Sequence, residues 1–104
     1  MGEKMKIVRD NIQNIMIAQQ KGGSFIVVDD DEAIRLLTFK LNEETKELIN
    51  SNYALEELID LQEVLNALVE KLCKKLNVAP EYLESLRKRK AETNGVFKEN
   101  LVLL

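Results

Sequence analysis

Two stretches of helical periodicity flank Asn50-Ser51-Asn52, a polar break only as long as a hairpin turn. Before it, Leu37, Leu41 and Leu48 recur at helical spacing; after it, Leu55, Leu58, Leu65, Leu72 and Leu76 do the same. At about 3.6 residues per turn such spacings put apolar side chains on one side of a helix, and so short a connection makes consecutive helices antiparallel. The chain is therefore expected to be all-α and built on a helical hairpin. Its first arm should run from about Asp31 to Ile49 and its second to Asn77.

Local signals place two further helices. Val8, Ile12 and Ile15 recur at i, i+4 and i+7 and predict a helix between Lys6 and Gln20, stopped by Lys21-Gly22-Gly23-Ser24. Pro80 suits a helix start, where its missing N–H costs nothing, and that helix should carry Tyr82, Leu83 and Leu86 to about Thr93 before Asn94-Gly95. Asp29-Asp30-Asp31 offers an N-cap for the first hairpin arm, with Glu32 favourably placed in the dipole of its first turn. Phe25-Ile26-Val27-Val28 and the apolar Val96 to Leu104 have no helical pattern and are expected to pair as a short two-stranded ribbon.

At 104 residues, 45% hydrophobic and 32% charged, the sequence reads as one domain over 1-104 whose bundle core is completed by oligomerisation, as a homodimer or homotetramer. A net charge of -3 provides no field for a phosphate backbone, so nucleic acid is not expected as a partner. Lys4, Lys6, Arg9 and Asp10 interrupt the start, and no stretch is long enough to span a bilayer; no membrane partner and a cytoplasmic location are expected. With no His and a lone Cys73, neither a zinc finger nor a His-based catalytic group can be assembled, so any metal must be oxygen-ligated.

Against this apolar pattern one residue is out of place. Leu37, Leu41 and Leu48 stand at i−7, i−3 and i+4 from Glu44, so a carboxylate projects from the apolar stripe. Burying an unpaired carboxylate costs on the order of several kcal/mol, so the position needs a cation, a proton or water. Glu47 follows at i+3, and Glu57 and Asp60 repeat that spacing on the next helix, where Asp60 shares a side with Val64 and Glu57 lies close to Leu61. Such acids brought to one seam would repel each other unless they ligated a hard divalent cation such as Mg²⁺. The plainer account is that Glu43, Glu47, Glu56 and Glu63 belong to solvated helix faces.

Other residues carry paired readings. Arg87-Lys88-Arg89-Lys90 either meets phosphates or complements the C-terminal dipole of its helix. Read from the residues alone, Arg9 and Asp10 suit a surface or intersubunit ion pair, and Tyr53 and Phe97, as aromatics at the edges of elements, suit packing. Cys73, near Leu72 and Leu76, is expected to be a small core residue.

Three segments carry a resemblance. Glu43-Glu44 and Glu47, followed by Glu57 and Asp60, resemble the E-E-x-x-E and E-x-x-D signature of MazG-like all-α pyrophosphohydrolases. Lys6 to Ile12 is similar to the "KLVRDKI" opening of a subgroup related to phosphoribosyl-ATP pyrophosphohydrolases, described as house-cleaning enzymes, and Arg89 to Phe97 to its "KKAEERGGF" close. Asn94 stands where that subgroup usually has Arg, Val96 where it has a second Gly, and Asn11 and Gln13 where it commonly has Lys and Pro.

The resemblance implies a dimer that builds four-helix-bundle cores, and Mg²⁺-dependent hydrolysis of a nucleoside triphosphate, standard or modified, to the monophosphate and pyrophosphate, with Mn²⁺ as a substitute. By position it implies Glu44, Glu47, Glu57 and Asp60 as metal ligands, with Glu43 in an outer shell, and Arg9, Asp10, Lys90, Asn94 and Phe97 as substrate contacts. With no His present, Glu43 and Glu47 are the nearby groups able to accept a proton from water. The competing class is a non-enzymatic helical interaction module with a degenerate site, which explains the leucines but not Glu44.

Overall fold

A computed structural model describes residues 5–104, in which four helices follow one another: α1 (Ile12–Ala18), α2 (Asp30–Asn50), α3 (Leu55–Lys75) and α4 (Pro80–Asn94). The all-α class expected from the periodicity is the observed one. The residues group into two compact units, one reaching Lys71 and the other Leu72–Leu104, with α3 running through the boundary. Among the described residues no helix is long and apolar enough to cross a membrane.

The hairpin in the first unit is set by local chemistry. The Asp29 side chain accepts the Glu32 backbone N–H at 2.9 Å, satisfying one of the donors that a helix start leaves open, and Asp30, Asp31 and Glu32 put negative charge at the positive end of the dipole. At the other end Asn52 and Tyr53 take left-handed φ of 59° and 65°, and the Tyr53 N–H donates to the Leu48 carbonyl at 2.8 Å, so the chain reverses directly into α3. Lys71 on α3 reaches Asp30 on α2 at 3.4 Å, a pairing of opposite helix ends that the antiparallel arrangement requires.

Packing selects one face of each arm. Ala33, Leu36 and Leu37 of α2 and Leu68 of α3 are buried. On α3 the half-buried residues that share the side of Leu68 are Glu57, Asp60, Leu61, Val64, Ala67 and Lys71. The leucines most prominent in the sequence pattern lie elsewhere: Leu55, Leu58 and Leu65 remain exposed. Thus α3 is apolar on two sides, and only one of them meets α2.

Two expectations are corrected. The predicted helix from Lys6 to Gln20 shrinks to Ile12–Ala18, with residues 6–9 irregular. Ile7 and Val8 are β-branched, the Asn11 N-cap makes no side-chain cap bond, and α1 buries no residue, so neither propensity, capping nor packing extends this helix. The expected ribbon does not form either: no strand occurs among the described residues, and Phe25-Ile26-Val27-Val28 and Val96 to Leu104 are irregular. Val27 is 100% and Leu103 98% exposed, so the apolar burial that would hold a two-stranded ribbon together in water is missing.

In the second unit, Asn77 takes φ 54° and the Val78 N–H closes on the Cys73 carbonyl at 2.8 Å, which terminates α3. Cys73 is buried, as expected of a small core residue. Pro80 opens α4, and Gly95 closes it at φ 87°, a conformation that side-chain-bearing residues rarely adopt.

Candidate metal centre

Because α2 and α3 are antiparallel and joined by a tight turn, acids near the end of one arm and the start of the other come together. Glu44 is central to them. It is only 4% exposed, the one buried charged side chain among the described residues, and its Oε2 is buried with no hydrogen-bond partner. Its other oxygen has Lys40 Nζ at 3.6 Å, an electrostatic contact longer than a hydrogen bond.

Carboxylate oxygens of Glu44, Glu57 and Asp60 lie within 4.8 Å of one another, and so do those of Glu43, Glu44 and Glu47. Glu44 belongs to both groups. Oxygens on opposite sides of a Mg²⁺ ion stand about 4.2 Å apart, given ligand distances of about 2.1 Å, so separations within 4.8 Å are on the scale that a shared cation requires. The donor set is all oxygen and anionic, which suits Mg²⁺ or Mn²⁺ and not a soft metal.

The electrostatics agree with the geometry. The Glu44 carboxyl is pushed above its usual value of 4.5, chiefly by burial and then by Glu47, with Asp60 adding to the push and Lys40 opposing it. Glu57 is raised too, first by desolvation and then by Glu47, Asp60 and Glu56. Burial leads in both shifts, and the neighbouring carboxylates add to it.

Some neutralisation is present. Arg9 Nη2 donates to Asp60 Oδ1 at 2.8 Å, Lys6 Nζ stands 3.4 Å from Glu43 Oε2, and Lys40 Nζ 3.8 Å from Glu43 Oε1. Beside the acids lies an open cleft of about 910 Å³, lined by Arg9 and Asp10 from the N-terminal segment, Lys40 and Glu44 from α2, and Asp60 and Lys71 from α3.

All five sequence-predicted acids, Glu43, Glu44, Glu47, Glu57 and Asp60, are thus brought together, with Arg9 bonded to one of them and Asp10 on the cleft wall. Lys90, Asn94 and Phe97 belong to the other unit: Lys90 and Asn94 are exposed on the last turns of α4, and Phe97 beyond it is 101% exposed. In the same unit Arg87 is committed to Glu84 at 2.6 Å, an ordinary i, i+3 pair. Sequence inspection overlooked Lys40 and Lys6. The signal for Lys40 was there, four residues before Glu44; the Lys6 contact with Glu43 is long-range and left none.

Comparison with models of protein families, with curated proteins and with solved structures returns no match.

Proposed function

We propose that the protein is a Mg²⁺-dependent nucleoside triphosphate pyrophosphohydrolase of the MazG-like kind, acting in the cytoplasm on standard or damaged nucleotides. The observation that carries this is the buried, unpartnered Oε2 of Glu44 among acids from two helices. An uncompensated carboxylate in that position is costly, and a divalent cation is the partner that satisfies every acid of the group together.

Glu44, Glu57 and Asp60 would hold the metal, with Glu47 joining through its group with Glu43 and Glu44. When bound, Mg²⁺ neutralises triphosphate charge and makes a water more acidic. Water then attacks the α-phosphorus in line: a new P–O bond forms, the bond to the bridging oxygen breaks, and pyrophosphate leaves. The water proton passes to a carboxylate, for which Glu43 and Glu47 are the candidates. Glu43 is tied to Lys6 and Lys40, whereas Glu47 is exposed. Lys40 and Lys71 on the cleft wall suit phosphate oxygens.

The exposed apolar side of α3, with Leu55 at 71%, Leu58 at 48% and Leu65 at 46% exposure, supports a homodimer or homotetramer that completes a bundle. The same face favours the second reading, a helical interaction module. Pyrophosphate release from a panel of nucleoside triphosphates with Mg²⁺ or Mn²⁺ separates them. The native chain should hydrolyse some member of the panel, and Asp60→Asn should lose at least about 100-fold, as much as removing an outer-shell partner of a metal can cost. A panel left wholly intact by the native chain sinks the enzyme.

A further inference from the structure

Arg9 stands in the way of the role proposed for Asp60. Its guanidinium donates to Asp60 Oδ1 at 2.8 Å, so an oxygen placed to ligate a cation is already engaged by a counter-ion. The contact spans 51 positions of sequence and is made by the irregular segment before α1, whose Val8, Arg9 and Asp10 line the same cleft as Glu44 and Asp60. The Arg9 and Asp60 side chains are 52% and 44% exposed, so the pair is weakly held and exchanges without exposing core. A divalent cation bound at Asp60 would also repel a guanidinium a few ångströms away.

Resting on the metal reading above, we propose that Arg9 is a displaceable counter-ion: it holds Asp60 while the centre lacks metal, is expelled when Mg²⁺ binds, and then presents its guanidinium to a phosphate in the cleft. Asp60 keeps a positive partner throughout, and Arg9 exchanges one anion for another. Arginine suits both tasks, because its planar fork pairs with carboxylate and with phosphate. The segment that carries it is neither strand nor helix, and the backbone bond at this residue, from the Ile12 N–H to the Arg9 carbonyl at 3.1 Å, leaves the guanidinium free to turn. The exchange also orders binding. Metal comes first, because only then is the guanidinium available to the anion.

The test follows the Arg9 side-chain Nε–Hε resonance by NMR in ¹⁵N-labelled protein, with Mg²⁺ binding measured in parallel by calorimetry. Asp60→Asn without metal supplies the unpaired reference position. Adding Mg²⁺ to the native chain should move the resonance to that position, and adding it to Asp60→Asn should not move it. Arg9→Ala should bind Mg²⁺ about two- to fivefold more tightly, the scale of a half-exposed ion pair. With Mg²⁺ saturating, the same variant should bind inorganic pyrophosphate at least about tenfold more weakly, having lost a charge-assisted hydrogen bond. These opposite directions distinguish exchange from a merely structural ion pair, whose loss would not tighten one ligand and loosen the other. Mg²⁺ that binds while the Arg9 resonance stays in place overturns the exchange and leaves the metal centre standing; no binding of Mg²⁺ or Mn²⁺ at all overturns both.

Discussion

Replacing Glu44 by Leu should stabilise the metal-free protein while abolishing its response to Mg²⁺. Glu44 is 4% exposed with Oε2 unpartnered, and a buried acceptor left unmade costs about 1–3 kcal/mol, more when charged. The substitution removes that cost. It also gives up the attraction of Lys40 at 3.6 Å, roughly 0.2–1 kcal/mol for a pair that still sees solvent. Leucine continues the stripe of Leu37, Leu41 and Leu48, so the net gain is about 1–2 kcal/mol, or a rise in Tm of about 4–16 °C for a domain of this size. In excess metal the order should reverse: at about 100 times Kd the native chain gains about 2.7 kcal/mol and the variant nothing. Thermal denaturation followed by circular dichroism, with chelator and with Mg²⁺, measures both halves. A variant that melts lower than native in chelator, or that Mg²⁺ still stabilises as strongly, refutes the reasoning.

The remaining predictions concern pH, capping and assembly. Because burial and then Glu47 raise the Glu44 carboxyl, its contribution to the stability of the metal-free protein is present below the usual glutamate value of 4.5 and is lost as pH rises through the raised value; urea titrations of Glu44→Gln should show a shallower decline. The Glu32 and Glu84 carboxyls, lowered mainly by hydrogen bonds from Arg35 and Arg87, act in the opposite sense, giving up their contribution only as pH drops below that range. Asp29→Ala should cost about 1 kcal/mol in urea denaturation through loss of the α2 cap, with Mg²⁺ affinity unchanged by calorimetry. Leu65→Glu on the exposed side of α3 should give a monomer in analytical ultracentrifugation and remove the concentration dependence of Tm that an oligomer shows; a native chain that is monomeric at every concentration contradicts the proposed assembly.

Signals carried within about four residues were legible in the sequence, because the hydrogen bonds they govern close over that distance. The Asp29 cap, the turn after Asn50, the Pro80 start and the Gly95 stop each set a helix end close to its expected place. Glu44 was legible for a related reason: one regular helix puts its carboxylate among leucines whatever the helix packs against.

The sequence alone left two matters to the tertiary structure. Apolar residues lie on two sides of α3, and periodicity cannot rank them; contact with α2 turned Leu61, Val64 and Leu68 inward, carried Glu57 and Asp60 with them, and left Leu58 and Leu65 outside. Likewise the spacing of Val8, Ile12 and Ile15 suits a helix, yet residues 6–9 are not helical where Arg9 meets Asp60 and Lys6 meets Glu43. Charges so distant in sequence have no shared local pattern to announce them. Their attraction acts only once the hairpin has brought the acids together.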